Sequence, residues 1–321
     1  MKAIVQDRYG SADMLEFQDV EVPAVGADEV LVRVRAAGAG PDVWHWMTGL
    51  PLMARPALGF RAPKERIRGW DAAGTVEAVG ADVTGFEVGD EVMGLAPGAF
   101  AEFAIAKDKL VRKPERLSFE EAAAVPISGI TALRAVREKA QVTRGQRVLV
   151  IGAAGGVGSL VVQVAKAFGA HVTGVCSTTK VDLVRSIGAD AVIDYTREDF
   201  AEVRPRFDAI LDIAGGRSVS HLRRALARRG TLVIVGGEGG GRWFGGIDRQ
   251  LRATLLSPFV GQKLGTLIAK SNAGDLAALK ELIEDRKVIP VIDRTYPLGQ
   301  VPDAIRHLER GHGQGKVVIT V

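Results

Sequence analysis

Apolar positions follow two different rhythms along this chain. EVLVRVRAAG (29–38) sets Val30, Val32 and Val34 against Leu31, Arg33 and Arg35, the alternation of a half-buried strand. AAGTVEAVG (72–80), GDEVMGL (89–95) and GAFAEFAIAK (98–107) are further short strands broken at glycines, so the first part predicts a compact β domain. The rhythm changes near Glu120. FEEAAAVPISGITALRAVREKA (119–140) reads as helix interrupted at Pro126 and Gly129, and from there strands and helices alternate.

RVLVIG (147–152), HVTGVC (171–176), AVID (191–194), DAILDIAG (208–215) and TLVIVGG (231–237) are near-continuous apolar strands. Helices are expected at 157–170, 180–188 and 218–228. Apolar strands separated by amphipathic helices specify a parallel sheet covered on both faces. QKLGTLIAK (262–270) adds a sixth strand at the edge. The tail returns to the first style, with a helix at 275–286 opened by Asp275, another at 301–310, and a closing strand in GKVVITV (315–321). That strand is expected to rejoin the first β domain, which makes the α/β unit an insertion. The expected fold is therefore α/β with two domains: residues 1–122 and 272–321 form one, and residues 123–271 the inserted one.

The length of 321 residues suits two domains. No apolar run reaches a membrane span, and MKAIVQDRYG lacks the apolar core of a signal peptide, so a cytoplasmic protein is expected. One cysteine, Cys176, excludes an intrachain disulfide and a thiolate zinc cluster. The net charge of +4 comes from dispersed arginines. The densest basic run, HLRRALARRG (221–230), carries no interleaved aromatics and reads as a solvated face rather than a nucleic-acid patch.

VLVIGAAGGVGS (148–159) carries the most chemistry. A buried strand runs into a glycine turn and then a helix, which lets backbone approach a pyrophosphate at a helix N-terminus. Ala153 stands where the first glycine of G-x-G-x-x-G would be, while Gly155, Gly156 and Gly158 remain. The strand, helix and following βαβ units supply the context such a motif requires. NAD-preferring sites usually carry an acid at the end of the second strand. Here the chain reads Cys176-Ser177-Thr178-Thr179-Lys180. Hydroxyls and an ammonium with no repelling carboxylate suit a 2′-phosphate, so NADP(H) is expected over NAD(H).

GWDAAGTVEAVG, GDEVMG, GAFAEF, AAAVPISGITAL, VLVIGAAGGVG, GADAVIDY and the closing GKVVIT together resemble the medium-chain dehydrogenase/reductase superfamily over nearly the whole chain. The AAGGVG form resembles its zinc-independent quinone oxidoreductase branch. The resemblance implies a GroES-like β domain with an inserted Rossmann domain. Zinc members carry Gly-His-Glu where this chain has Gly69-Trp70-Asp71, a ligand cysteine where it has Gly40, and a lobe of four cysteines. The five histidines and one cysteine show no ligand spacing either, so no zinc is expected. By resemblance, Thr131 approaches the nicotinamide, and Ala154, Gly155, Gly156, Val157 and Gly158 form the pyrophosphate turn. Ser177, Thr178 and Lys180 meet the 2′-phosphate, with Tyr195 nearby. Gly236 and Gly237 lie beside the nicotinamide ribose, and Phe259, Val260 and Gly261 face the carboxamide through their backbone.

GAGPDVWHWMTG (38–49) reads as an apolar wall of the substrate cleft, with Trp44, Trp46 and Met47 shaped for a flat ligand. His45 is its one residue that titrates near neutrality, and either His45 or solvent supplies the proton. Some zinc-free relatives carry an asparagine at the place of Gly40, and this chain lacks it. Arg242 and Trp243, in a glycine-rich run at 236–246, either touch substrate or lie in an exposed loop. The expected activity is NADPH-dependent, zinc-independent reduction of a quinone or an α,β-unsaturated carbonyl. Metal-free alcohol/ketone interconversion is an alternative, as is a cofactor-binding interaction or nucleic-acid-binding protein without turnover. The apolar edge strand 262–270 needs cover, and a homodimer would supply it.

Overall fold

The computed structural model describes residues 1–236, 241–267, 273–311 and 313–321. The chain divides into two compact units. Residues 1–128, 271–284 and 290–321 form the first, and residues 129–270 and 285–289 the second.

The first unit is built on antiparallel strands. β1 (Lys2–Val5) and β2 (Glu16–Asp19) pair with each other. β3 (Val30–Ala39) is the hub of a seven-stranded sheet with β4 (Asp71–Val79), β5 (Glu91–Leu95), β6 (Phe103–Ala106) and β7 (Leu110–Arg112). Val30, Val32 and Val34 are buried while Arg33 and Arg35 face solvent, as alternation requires. Leu31 is buried too, because β6 lies across it with Ile105 opposite. The closing strand Lys316–Thr320 does return to this sheet, antiparallel to β3 with Val317 opposite Ala39.

Between β3 and β4, the stretch that begins at Gly40 forms helix α1 (Pro41–Thr48). Pro41 presets the first turn. Gly49 closes the helix at φ +63°, donating its N–H to His45 O. Val43 and Met47, four residues apart on one face, enter the core with Ile4, Val34, Phe100 and Val317.

The second unit is a six-stranded parallel sheet. Its strands are β8 (Arg147–Ile151), β9 (His171–Cys176), β10 (Ala191–Asp194), β11 (Phe207–Asp212), β12 (Leu226–Ile234) and β13 (Lys263–Thr266). They lie in the order β10-β9-β8-β11-β12-β13, the doubly wound order of dinucleotide-binding sheets. Helix α2 (Gly156–Ala167) follows β8. One boundary differs from expectation. The helix before β12 ends at Ala225, not 228, and the strand starts at Leu226. Leu226 is buried opposite Phe207, and the register then shifts to Ala209 opposite Thr231, so sheet packing overrides the helical spacing of the arginines. β13 is the expected edge strand. Residues 268–270 of that expectation lie outside the described residues, as does Gly237. Among the described residues no helix is long and apolar enough to cross a membrane.

Candidate active site

In the second unit, β8 runs directly into the glycine turn. Gly152 adopts φ +82°, a conformation that favours glycine, and its carbonyl accepts from Gly155 N at 3.2 Å. A Cβ at Gly158 would stand 2.0 Å from that same carbonyl, so the first turn of α2 packs onto the strand end only with glycine there. A Cβ at Gly155 would meet nothing closer than 3.6 Å, and Gly155 supplies no side-chain cap to α2. A helix N-terminus with that open approach fits a pyrophosphate. Ala154 is buried beneath the turn, and Gly156 and Val157 are half-buried in it. Thr131 is buried, on the helix Pro126–Arg134.

The ends of β9 and β10 hold a residue that the sequence reading overlooked. Cys176 and Asp194 are register partners, and the carboxylate of Asp194 gathers several donors. Thr178 Oγ1 donates to it at 2.6 Å, Thr196 donates through Oγ1 (2.7 Å) and N (3.0 Å), and Arg197 lies 3.4 Å away. The Thr178 hydrogen bond leads the effects that hold the Asp194 carboxyl below its usual range. The expectation that no carboxylate stands near these hydroxyls is therefore corrected: the Thr178 hydroxyl is committed to Asp194. The signal was the Asp that closes AVID, on the third strand rather than the second. Burial, and then Asp194, pushes the Cys176 thiol up to about 11, which keeps it protonated. Ser177 and Lys180 are half-buried, and Tyr195 is half-exposed with Arg217 over its ring at 5.8 Å.

A second unforeseen group stands at the ends of β11 and β12. The Asp212 carboxylate is fully buried, and burial pushes its pKa up. It accepts from Arg249 Nη1 at 2.5 Å and from Gly215 N at 3.2 Å. Arg249 also donates to Arg217 O (3.1 Å) and to Gly236 O (2.7 Å). One guanidinium thus ties both strand ends to the helix α3 (Ile247–Leu256). A Cβ at Gly236 would lie 1.9 Å from Ile213 O, so this glycine permits close packing of the two loops. Phe259 projects into solvent at 84% exposure, Val260 is half-buried and Gly261 exposed. Arg242 and Trp243 are exposed.

In the first unit, α1 separates the residues expected to act as one wall. Met47 is fully buried on the core face, which corrects its assignment to the substrate cleft: at helical spacing it falls with Val43, not with Trp46. Trp44 is half-buried against the same core and meets the His45 ring edge-on at 5.1 Å. His45 Nδ1 lies 3.0 Å from Leu50 O. Trp46 turns to Trp70, ring centroids 5.2 Å apart. Beside Trp70, the buried Asp71 carboxylate lies 2.8 Å from Lys316 Nζ and accepts from Ile127 N at 2.8 Å. Lys316 also reaches Ser128 Oγ at 3.2 Å. Burial pushes Asp71 up. Burial also opposes the Lys316 ammonium, but Asp71 and Asp42 outweigh it and hold that group above its usual range.

A doubly wound sheet with an open glycine turn, joined in one chain to an antiparallel β unit, defines a dinucleotide-dependent oxidoreductase. Comparison with known proteins agrees. The model of the alcohol dehydrogenase GroES-like domain matches residues 26–115, and that described as zinc-binding dehydrogenase matches residues 187–319. The chain is 37% identical to the 2-methylene-furan-3-one reductase of Solanum lycopersicum, covering 99% of this chain and 79% of that one. It is 33% identical to the chloroplastic NADPH-dependent alkenal/one oxidoreductase of Arabidopsis thaliana, with the same coverage. The solved quinone oxidoreductase of Coxiella burnetii superposes with a TM-score of 0.87 at 30% identity, covering 100% of this chain and 99% of that one. The chain belongs to the medium-chain dehydrogenase/reductase superfamily, in its quinone oxidoreductase-like branch. It is an NAD(P)H-dependent oxidoreductase.

Proposed function

We propose that the protein is an NADPH-dependent, zinc-independent reductase of quinones or α,β-unsaturated carbonyls. The observation that carries this reading is the side-chain set at residues 70–71, in a chain whose glycine turn fits a dinucleotide. Trp70 has no lone pair for a metal and packs on Trp46, while the Asp71 carboxylate is committed to Lys316 and Ile127. These residues do not fit a zinc ion. The acceptor class is supported by the likeness to an alkenal/one oxidoreductase and to a quinone oxidoreductase. Preference for the 2′-phosphate is supported by Ser177 and Lys180, and by the donors from Thr178, Thr196 and Arg197 that offset the charge of Asp194.

Bound, the reduced nicotinamide supplies a hydride to the electron-poor carbon of the acceptor. The amides of the turn 154–158 bind the pyrophosphate, and Lys180 orients the adenosine end. Arg249 holds Gly236 and Asp212 in place. Trp46 and Trp70 offer apolar faces to a flat acceptor. His45, whose Nδ1 lies 3.0 Å from Leu50 O, is one source of the proton for the developing oxyanion, and water is the other. The lone, buried Cys176 leaves no disulfide, which suits the cytosol.

The test is steady-state oxidation of NADPH and NADH against a panel of quinones and enones, with metal analysis of the same protein. Turnover with NADPH that survives chelation is expected. Failure of every acceptor in the panel to support NADPH oxidation, or stoichiometric zinc in the protein, overturns the reading.

A further inference from the structure

Arg217 leaves β11 on a turn that holds its backbone and frees its side chain. The strand ends at Asp212, and Gly215 and Gly216 follow at φ +70° and +79°. A Cβ at Gly216 would meet nothing within 4 Å, so backbone conformation rather than space calls for glycine there. Gly215 N donates to Asp212 Oδ1 at 3.2 Å, and Arg217 O accepts from Arg249 Nη1 at 3.1 Å. Arg217 is exposed, and among the described residues its guanidinium makes no hydrogen bond and meets no carboxylate within 4.0 Å. The nearby Asp212 is matched by Arg249. What the guanidinium meets is the ring of Tyr195, with 5.8 Å between Cζ and the ring centroid.

That contact crosses the sheet. Tyr195 follows β10 and Arg217 follows β11, and in the order β10-β9-β8-β11 two strands stand between them. Strands about 4.8 Å apart put the two exits about 14 Å from each other, so the pair arches over the C-terminal ends of β9 and β8. Those ends are Cys176, followed by Ser177, and Ile151, followed by the glycine turn. In a doubly wound sheet the crevice there takes a dinucleotide, with the pyrophosphate at the turn and the ribose hydroxyls at the end of the second strand. The charge at that strand end is short of what a 2′-phosphate needs. Arg197 lies 3.4 Å from Asp194, and Arg185 lies 3.8 Å from Asp182. A phosphate monoester carries about −1.5 to −2 near neutrality, more than the one ammonium of Lys180 offsets.

We propose that Arg217 is a specificity-determining residue for the cofactor, and that its guanidinium leaves the Tyr195 ring to pair with the 2′-phosphate of NADP(H). The inference rests on the reading that this chain takes NADPH. It adds a residue from the far side of the crevice, beyond the strand-end group of Ser177, Thr178 and Lys180. A cation over a ring as exposed as that of Tyr195, at 49%, is held weakly. Pairing of arginine with phosphate is the stronger contact, so a bound 2′-phosphate draws the guanidinium away from the tyrosine.

The experiment is calorimetric titration of the full chain with 2′,5′-ADP and with 5′-AMP, which differ only in the 2′-phosphate. The unaltered protein is expected to bind 2′,5′-ADP more tightly. Arg217→Gln is expected to weaken 2′,5′-ADP by about tenfold and 5′-AMP by less than about twofold. Arg217→Lys is expected to fall between the unaltered protein and Arg217→Gln, and Arg217→Glu below both, so that affinity for 2′,5′-ADP follows the charge at this position. Melting temperatures of the variants, expected to match the unaltered protein because the side chain is exposed, check the fold. Equal losses for the two nucleotides assign Arg217 to the adenine face and overturn the proposal. Unchanged affinity for 2′,5′-ADP, or a loss that does not follow the charge, overturns it too. A preference for 2′,5′-ADP that survives in every variant removes Arg217 and leaves the NADPH reading standing, whereas an unaltered protein that binds both nucleotides alike overturns the two together.

Discussion

Lys316→Met is the substitution whose consequence the structure defines most closely. It removes the cation 2.8 Å from a fully buried carboxylate, Asp71, and leaves that carboxylate with one backbone donor, Ile127 N. At an effective dielectric of about 20 the lost attraction is about 6 kcal/mol. Relief of the buried lysine's own desolvation offsets part of it, and breaking buried pairs costs about 3–5 kcal/mol. Against a total stability of about 5–15 kcal/mol, this lowers the melting temperature on the order of 10 °C. The deficit depends on pH. Burial already raises the Asp71 pKa in the folded state, and loss of the ammonium raises it further. Above about pH 4 the unfolded chain releases a proton that the folded variant keeps, so the variant loses stability as pH rises from there through the folded pKa. Its deficit relative to the unaltered protein therefore shrinks on acidification from pH 7 to pH 5. Asp71→Asn/Lys316→Met, which leaves only the half-buried Asp42 without that cation, recovers most of the loss and its pH dependence. Thermal melts of the three proteins at both pH values check this. A single variant within about 1 kcal/mol of the unaltered protein at pH 7, or a deficit that does not change with pH, would show that the pair is not the buried, coupled contact described.

Three further outcomes follow from the geometry. Met47→Ala is expected to cost about 2–5 kcal/mol of stability, as for a filled core position, with NADPH affinity unchanged; a stable variant with altered acceptor KM would return Met47 to the substrate wall. Lys180→Ala is expected to raise the NADPH dissociation constant by about 10–100-fold, the worth of a charge-assisted contact, and to leave NADH unchanged, as read by cofactor fluorescence titration; equal effects on both cofactors would refute the assignment to the 2′-phosphate. We also infer a homodimer through β13, which among the described residues pairs with β12 alone and packs beside the helices that carry Leu251, Leu255 and Phe259, exposed at 51%, 70% and 84%; sedimentation as a monomer would refute it.

Much of the fold was legible because its signals are local or periodic. The valines of β3, the apolar run of β8 and the glycines after it each state their role within a few residues, and so does the closing strand that returns to β3. What escaped is non-local. Asp194 and Asp212 read in sequence as ordinary strand-end acids. Only the pairing of β10 with β9, and the approach of α3 to the end of β11, show that one fixes Thr178 and the other is neutralised by Arg249. Met47 failed for a different reason. GAGPDVWHWMTG has the composition of a ligand wall, but as a helix it has two faces, and the spacing from Val43 sends Met47 inward while Trp46 meets Trp70. Arg68, which is buried, had no sequence signal at all, since an arginine beside Glu65 and Arg66 reads as surface. Its burial follows from the bridge of Ile67 to Val5 and the hydrogen bond to Phe100, partners 62 and more residues upstream and about 30 downstream in the chain. Residues whose surroundings come from distant segments carry no local signal, and in this protein Asp194, Asp212 and Arg249 are among them.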